Sequence, residues 1–298
     1  MICSICPRSC HTARHNSIDD GTCAGFCASP VLPVVARAGL HHWEEPVISG
    51  SRGSGTVFFS GCNLKCVFCQ NYSISTERQG KEISVARLKE IYRELIAQGA
   101  HNINLVTPGH YTHAVAASLD EKLPVPVVYN SNGYDSVQAL RSLEGKIDIY
   151  LPDLKYADNS LAAKYSQAPD YFETAVSAID EMVRQTGNFE IDDDGIMKKG
   201  VIIRHLVLPG ELENSIKVIK YVAEHFPKGS VLFSLMRQYV PFGKVAEGEY
   251  PELNRKLNDY EYDTIESVLF ASGIEDGFLQ DEEAADTAFI PVFDGSGV

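Results

Sequence analysis

The chain has no cysteine after Cys69, a single tryptophan and no excess of basic charge. No apolar run approaches the roughly 18–20 residues that a membrane span needs, so no membrane partner is expected. With a formal net charge of −14, nucleic acid is not expected as a main partner, because phosphate binding draws on lysine and arginine. The N-terminus has no charged stretch leading into an apolar one, so no secretory signal is expected and the cytoplasm is the expected location. A disulfide framework would scatter cysteines through the chain. Here all eight fall at positions 3, 6, 10, 23, 27, 62, 66 and 69, and short spacings without a secretory signal favour metal or redox chemistry.

The 298 residues, 44% of them hydrophobic, suffice for one large α/β domain with an appendage. Charge is unevenly spread. From Val245 to Val298 there are 14 acidic residues against Arg255 and Lys256, so this stretch carries −12 of the total. It reads as a solvated acidic tail or as a docking surface for a basic partner.

Three regions follow from composition: a Cys-rich metal-binding segment over 1–50, a barrel-like domain over 51–245, and an acidic extension with one helix over 246–298. In the middle region, strands and helices alternate. Thr56–Ser60, Asn102–Val106, Val125–Tyr129, Ile147–Leu151, Val201–Leu208 and Val231–Met236 read as six strands. Helices are expected near His113–Glu121, Ser136–Leu143, Asn159–Gln185, Ser215–His225 and Asp263–Ser272. Ser84 can cap another, whose Leu88, Ile91, Tyr92, Leu95 and Ile96 share one face, with Gly99 as a stop. Asn188–Gly200, with Asp192-Asp193-Asp194-Gly195, reads as an exposed hairpin turn. Six strand–helix units predict an α/β fold with a parallel sheet, fewer than the eight of a full TIM barrel. A partial, laterally open (β/α)6 TIM-type barrel is the expected architecture.

Ligands of parallel α/β folds sit at the carboxyl ends of the strands. Those ends carry Gly61-Cys62, Thr107-Pro108-Gly109-His110, Asn130-Ser131-Asn132-Gly133, Pro152-Asp153-Leu154-Lys155, Pro209-Gly210 and Arg237-Gln238-Tyr239. The first opens into Cys62, Cys66 and Cys69, spaced C-x3-C-x2-C. Three thiolates on one loop can hold three irons of a cubane and leave the fourth open, which points to chemistry rather than structure. Zinc is the alternative, with His101, His110 or His113 as fourth ligand.

This loop after the first strand of a partial barrel resembles the radical S-adenosylmethionine (SAM) superfamily. The wider pattern is similar to its pyruvate formate-lyase activating enzyme-like branch. It is carried by Cys3-x2-Cys6-Pro-Arg-x-Cys10, His42-Trp43-Glu44-Glu45-Pro46, Gly53-Ser54-Gly55-Thr56, Phe59-Ser60-Gly61-Cys62-Asn63-Leu64, Cys66-Val-Phe-Cys69-Gln70-Asn71-Tyr72 and Ile103-Asn104-Leu105-Val106-Thr107-Pro108. The resemblance implies a [4Fe–4S] cluster on Cys62, Cys66 and Cys69. It also implies an oxidoreductase-type enzyme that reductively cleaves SAM to methionine and a 5′-deoxyadenosyl radical, which takes hydrogen from a substrate. That substrate is the glycine of a glycyl-radical enzyme, or a small molecule or peptide. A flavodoxin or ferredoxin is the implied electron donor, in an anaerobic setting.

By the same resemblance, Phe68 lies near the adenine, and Thr107-Pro108 occupy the turn that binds the SAM amino group, without the acidic residue many relatives carry there. Asn130 and Ser131 reach the ribose, Lys155 meets the SAM carboxylate, and Asp153 meets ribose or substrate. Arg204 is a carboxylate ligand if it points into the barrel, and Gln238 and Tyr239 are weaker candidates. His110 and His113 read as polar rim or surface residues. No residue is singled out as catalytic.

Cys3, Cys6, Cys10 and Cys23 supply four ligands of a second site, zinc or iron–sulfur, and Cys27 is available as a fifth. Such a segment buries little core alone, so a metal would staple it. Trp43 and the pair His41-His42 are expected to pack between this segment and the barrel. Two other classes remain open at this point: a non-enzymatic iron–sulfur electron carrier, and a zinc-stapled binding protein.

Overall fold

Runs of apolar residues separated by helix-length segments are joined most readily as parallel neighbours, with amphipathic helices crossing over them. The computed structural model describes residues 2–21 and 23–298 and has this arrangement. In chain order the elements are β1 (Val34–His41), α1 (Pro46–Ser49), β2 (Ser54–Phe59), α2 (Tyr72–Ser75), β3 (Lys81–Glu82) and α3 (Val85–Ala97). There follow β4 (Ile103–Val106), α4 (Thr112–Ser118), β5 (Val127–Ser131), α5 (Val137–Arg141), β6 (Ile149–Pro152), α6 (Asn159–Ser166) and α7 (Tyr171–Thr186). The chain ends with β7 (Glu190–Ile191), β8 (Met197–Leu206), α8 (Leu212–His225), β9 (Leu232–Met236), α9 (Asp259–Ser272) and β10 (Gly277–Leu279).

The expected parallel strands are present: β2, β4, β5, β6, β8 and β9 pair in that order. Helix α3 shows why the local signals worked. Ser84 Oγ accepts from the Arg87 amide at 3.1 Å, and Leu88, Ile91, Tyr92 and Leu95 are buried against the sheet. The Asn188–Gly200 stretch is a hairpin in which β7 pairs antiparallel with β8.

Three strands extend the sheet beyond the six-unit pattern: β1, the two-residue β3 that pairs with it, and β10. β1 pairs antiparallel with β2, and β10 adds in parallel to β9. Neither has the strand-then-helix context that marks the others, and β10 is three residues long. The β1–β2 register aligns His41 with Ser54, so β1 delivers the chain to the amino-terminal end of the barrel. There α1 turns inward. Val47 and Ile48 bury against Val128, Ile149, Leu151, Met197, Ile202 and Leu232, which seals that end with an apolar plug.

The sheet stays open between its ends, as six units imply, and residues 280–296 cross that opening, which the sequence reading did not foresee. Leaving β10, this segment reaches β1, where the Gly295 amide donates to Ala36 O at 3.0 Å and the Ala38 amide donates to Ser296 O at 2.9 Å. Phe293 meets Phe58 edge-on at 5.3 Å, and Arg37 Nη1 donates to Val292 O at 2.9 Å. At Gly297 (φ 75°) a Cβ would stand 2.2 Å from Ala38 O, so the close approach requires glycine. Irregular segments carry no apolar period, so the sequence pattern showed only their charge. Trp43 belongs to the same contact: its ring meets Phe289 at 4.8 Å, joining β1's exit to the C-terminal segment rather than the Cys-rich segment to the barrel.

Candidate active site

A cavity of about 970 Å³ lies inside the sheet above α1. Cys62, Cys66 and Cys69 line one part of it, and Glu44, Glu45, Asp153 and Arg204 line another. The 280–296 segment contributes Gln280, Ala284, Asp286, Phe289, Ile290 and Pro291 to its wall.

At the carboxyl edge of β2 every sulfur has a polar neighbour. Cys62 Sγ accepts from the Leu64 amide and from Asn132 Nδ2, both at 3.3 Å. Ser166 Oγ donates to Cys66 Sγ at 3.0 Å, and Cys69 Sγ shares a hydrogen bond with Ser75 Oγ at 3.3 Å. Burial pushes the Cys62 thiol up to about 12 and the Cys66 thiol up to about 11, with the other loop cysteines adding to the effect. Loading iron would therefore release protons. Among the described residues no three Cys, His, Asp or Glu side chains converge on one ion. A cubane does not ask for that, because each thiolate binds a different iron. Three thiols on one short loop, each with a sulfur-directed neighbour and all lining one cavity, fit a [4Fe–4S] cluster. None of His101, His110 and His113, the candidate fourth zinc ligands, lines the cavity.

Below this edge lies a charged network. The parallel register sets Asp153 opposite Arg204, and Arg204 Nε donates to Asp153 Oδ1 at 2.9 Å. Arg204 Nη2 donates to Asn130 Oδ1 at 2.8 Å, and Nη1 reaches Glu44 Oε2 at 3.2 Å. Asn130 Nδ2 donates to Glu44 Oε1 at 3.2 Å, and Lys155 Nζ pairs with Asp153 Oδ2. Burial works to raise the Asp153 carboxyl, but the charges of Arg204 and Lys155 outweigh it and hold the group below its ordinary range. Glu44 and Glu45 are pushed upward by burial, against the pull of Arg204, and Glu45 reaches about 7.

Arg204 thus points into the barrel as expected, yet its donors are taken by protein carboxylates and Asn130. Lys155 keeps donors to spare and lies close enough to Cys66 to be influenced by its charge, which suits a carboxylate bound beside the cluster. Phe68 lines the cavity, edge-on to Tyr239 at 5.9 Å. Thr107 lines it in a left-handed conformation, φ 58°, rare for a β-branched residue and characteristic of ligand-binding turns. Pro108 does not line it. Ser131 does, although its hydroxyl is committed to Asp135, and Gln238 is held through its Oε1 by Gln280 at 3.1 Å.

His110 is neither rim nor surface, and His113 is half-buried. His110 Nε2 bonds Ser60 O at 2.8 Å, and burial pushes its imidazole down to about 3, so it is a neutral core group. His113 Nε2 bonds Val31 O at 2.8 Å. Sequence reasoning assigned no role to Glu44, Glu45, Asn132 or Ser234. Glu44-Glu45 stood in a motif of the resemblance and Asn132 in a strand-end turn, which were the available signals.

The Cys-rich segment docks on this edge. Arg8 Nε donates to Asn63 O at 2.9 Å, its guanidinium lies 3.9 Å from the Phe26 ring centre, and Arg14 Nη1 donates to His110 O at 2.8 Å. Gly61 (φ 85°) permits the contact, since a Cβ there would stand 2.5 Å from Ser29 Oγ. Burial pushes the Cys6 thiol up to about 12, and Cys27, Cys3 and Cys10 are near enough to contribute. These four thiols share one neighbourhood without forming a single-ion site.

The sequence matches the Radical SAM superfamily over residues 56–235. It is 31% identical over 275 residues to Uncharacterized protein MJ0674 of Methanocaldococcus jannaschii, an alignment covering 88% of this chain and 73% of that relative. Among solved structures, Streptococcus suis SuiB bound to precursor peptide SuiA aligns with a TM-score of 0.50 at 12% identity, over 74% of this chain and 46% of that one. HydG, a maturase of the [FeFe]-hydrogenase, aligns with a TM-score of 0.50 at 14% identity, over 79% and 54%. The chain spans about half the length of these two solved proteins, at 46% and 54%, and the likeness is one of fold. The three-cysteine edge, the parallel sheet beneath it and the family match over most of the chain agree: this chain belongs to the radical SAM superfamily.

Proposed function

We propose that this protein is a radical SAM enzyme whose substrate is a small molecule enclosed within the barrel. The observation that carries the reading is the cavity of about 970 Å³, walled laterally by residues 280–296 and bearing the cysteine edge and the carboxylate–guanidinium network in one space. Ligand pockets run to about 300–1,000 Å³, so this one has room for SAM and a second compact molecule. Cys62, Cys66 and Cys69 would hold the [4Fe–4S] cluster, which would supply one-electron reductive cleavage of SAM with an electron taken from an external donor. The chain's own residues orient and enclose. Lys155 receives the SAM carboxylate, Phe68 packs against the adenine, and the Thr107 turn offers backbone polar groups. The C-terminal segment walls one side of the space.

Residues 280–296, held on β1, narrow the lateral approach that a loop of a glycyl-radical enzyme would use, which is why the small molecule is the better supported substrate. The electron donor is proposed to be a flavodoxin or ferredoxin. The N-terminal cysteines are proposed to hold a second metal, and iron, sulfide and zinc analysis of anaerobically prepared protein identifies it.

The test is 5′-deoxyadenosine production from SAM and dithionite by the reconstituted protein. Cleavage is expected, and stimulation should come with the ultrafiltrate of a cell extract rather than with the protein retentate. Absence of SAM cleavage by a fully loaded cluster would sink the enzyme reading and favour an electron carrier. Stimulation by the retentate alone would return the glycyl-radical reading.

A further inference from the structure

The Cys-rich segment contains a buried cation that no carboxylate answers. Arg14 is 5% exposed. Its guanidinium donates to His110 O at 2.8 Å, to Pro30 O at 3.3 Å and to Cys27 Sγ at 3.5 Å, and it also reaches the Cys3 side chain. Among the described residues, none of these partners is a carboxylate. An uncompensated buried charge is strongly destabilising, so an anion belongs beside Arg14. The thiols can supply it in one form only. A free thiol is neutral near pH 7, and apolar burial favours that form, whereas a metal-bound cysteine is a thiolate.

The backbone gathers four of the five sulfurs. The Cys3 amide donates to Thr12 O and the His11 amide to Cys3 O, both at 2.9 Å, which closes a loop around Cys6 and Cys10. In that loop the Ser9 amide turns back to Cys6 O at 3.0 Å, and the Arg8 amide is aimed at Cys6 Sγ. A second turn closes the Ala28 amide on Gly25 O at 2.8 Å, and its Phe26 amide donates to Cys10 Sγ at 3.4 Å. Cys27 lies on this second turn. Cys27, Cys3 and Cys10 are the thiols whose charges act on Cys6. Cys23, the fourth ligand expected from the sequence, is not among them, and its Sγ accepts from the His15 amide at 3.2 Å. Amides aimed at sulfur favour metal-bound thiolates. Zinc would draw four sulfurs to one point, whereas a cubane gives each thiolate its own iron. Among the described residues no three such side chains converge on one ion, so the cubane fits better.

We propose that this segment holds a second [4Fe–4S] cluster, ligated by Cys3, Cys6, Cys10 and Cys27, with Arg14 as its buried counter-charge. The inference rests on the second-metal reading above and names the cofactor and its ligands. Four protein ligands leave no open iron, so this centre holds an electron rather than a substrate. It backs directly on the first cysteine loop, because Gly61 and Asn63, on either side of Cys62, both touch the segment. A Cβ at Gly61 would stand 3.3 Å from Cys27 O, and Arg8 Nε donates to Asn63 O at 2.9 Å.

The test counts iron, sulfide and zinc in the full-length protein, purified and reconstituted anaerobically, beside Cys23→Ser and Cys27→Ser. Wild type and Cys23→Ser should each hold about eight irons, two cubanes, and folded Cys27→Ser about four, with thermal unfolding reporting the folded state. Arg14→Gln should lower the midpoint potential of one of the two cluster signals in an electron paramagnetic resonance titration, since losing a nearby cation disfavours the added electron. Four irons and one zinc in wild type would overturn the cluster and leave the second-metal reading standing. Four irons and no zinc would overturn both. Iron lost from folded Cys23→Ser, or eight irons kept by Cys27→Ser, would overturn the ligand set, and unchanged potentials in Arg14→Gln would overturn the role of Arg14. If Cys27→Ser does not fold, the wild-type and Cys23→Ser counts decide, because only the four proposed ligands then remain in the segment. None of these readouts needs SAM cleavage, so failure here is distinguishable from failure of the radical SAM reading.

Discussion

Cys62, Cys66 and Cys69 occupy a loop leaving β2, a strand buried along its whole length. Cys3, Cys6, Cys10, Cys23 and Cys27 occupy a segment whose regular structure, among the described residues up to Cys27, is the single turn Ile18–Asp20 and a bridge between Ile2 and Ala13. The first group is positioned by a rigid sheet and by donors from β5's exit, α6 and α2. The second is positioned by arginines reaching across to the barrel, Arg8 to Asn63 and Arg14 to His110. Close spacing alone therefore does not equate the two. One is an edge of the large cavity, and the other is an annex held against it.

The largest expected effect separates the two groups directly. Cys66→Ala should abolish 5′-deoxyadenosine formation, whereas Cys3→Ala should leave SAM cleavage in place and act on folding or substrate turnover. Assay of both variants under dithionite checks this, and retained cleavage in Cys66→Ala would contradict the assignment. Next, Arg14→Ala should strip the annex of its buried anchor, which bonds His110 O, Pro30 O and Cys27 Sγ. A loss of about 2–4 kcal/mol is expected from charged buried hydrogen bonds, read from the urea midpoint. An unchanged midpoint would mean that the annex is not coupled to the barrel.

Acid sharpens the comparison, because one neutral histidine joins the annex to the barrel and another sits within the barrel. Burial pushes His110 down to about 3 and His205 down to about 4, against an ordinary 6.5. His205 donates from Nδ1 to Leu154 O at 2.7 Å and bonds Ser215 Oγ through Nε2 at 2.9 Å. Below 6.5 the unfolded chain takes up protons that the folded chain refuses, so stability falls as pH drops from 6.5 toward about 4 and 3. A loss of about 3 kcal/mol or more over that window is expected, and a melting temperature that rises on acidification would refute it. The smallest effect belongs to the barrel alone. Ser84→Ala removes the cap of α3 and should cost about 1 kcal/mol without altering metal content in either group, as thermal unfolding and metal analysis will show.

Parallel strands buried on both faces advertise themselves as apolar runs, and capped amphipathic helices as periodic ones, so the six core units and α3 could be read from the chain. β1 and β10 could not, since pairing partners rather than local pattern make them strands. The candidate site divides in the same way. The cysteine loop is local in sequence, eight residues from Cys62 to Cys69, and its spacing declares the chemistry. Asp153 and Arg204 were legible as strand-end and mid-strand residues, but their mutual engagement depends on the β6–β8 register. Glu44 and Glu45 precede the first barrel strand, and nothing near them announces that α1 carries the chain back beneath the cavity.

By itself the sequence determined the family chemistry and the order of the parallel strands, because both are encoded in short-range spacing: thiols a few residues apart, and apolar periods of strand and helix length. Only the tertiary structure decided what faces the cysteines across the cavity and what closes its side. Those features bring together residues from β1's exit, β6, β8 and the last residues of the chain. Contacts between such distant segments depend on sheet register and on the docking of an aperiodic tail, and neither leaves a trace in local composition.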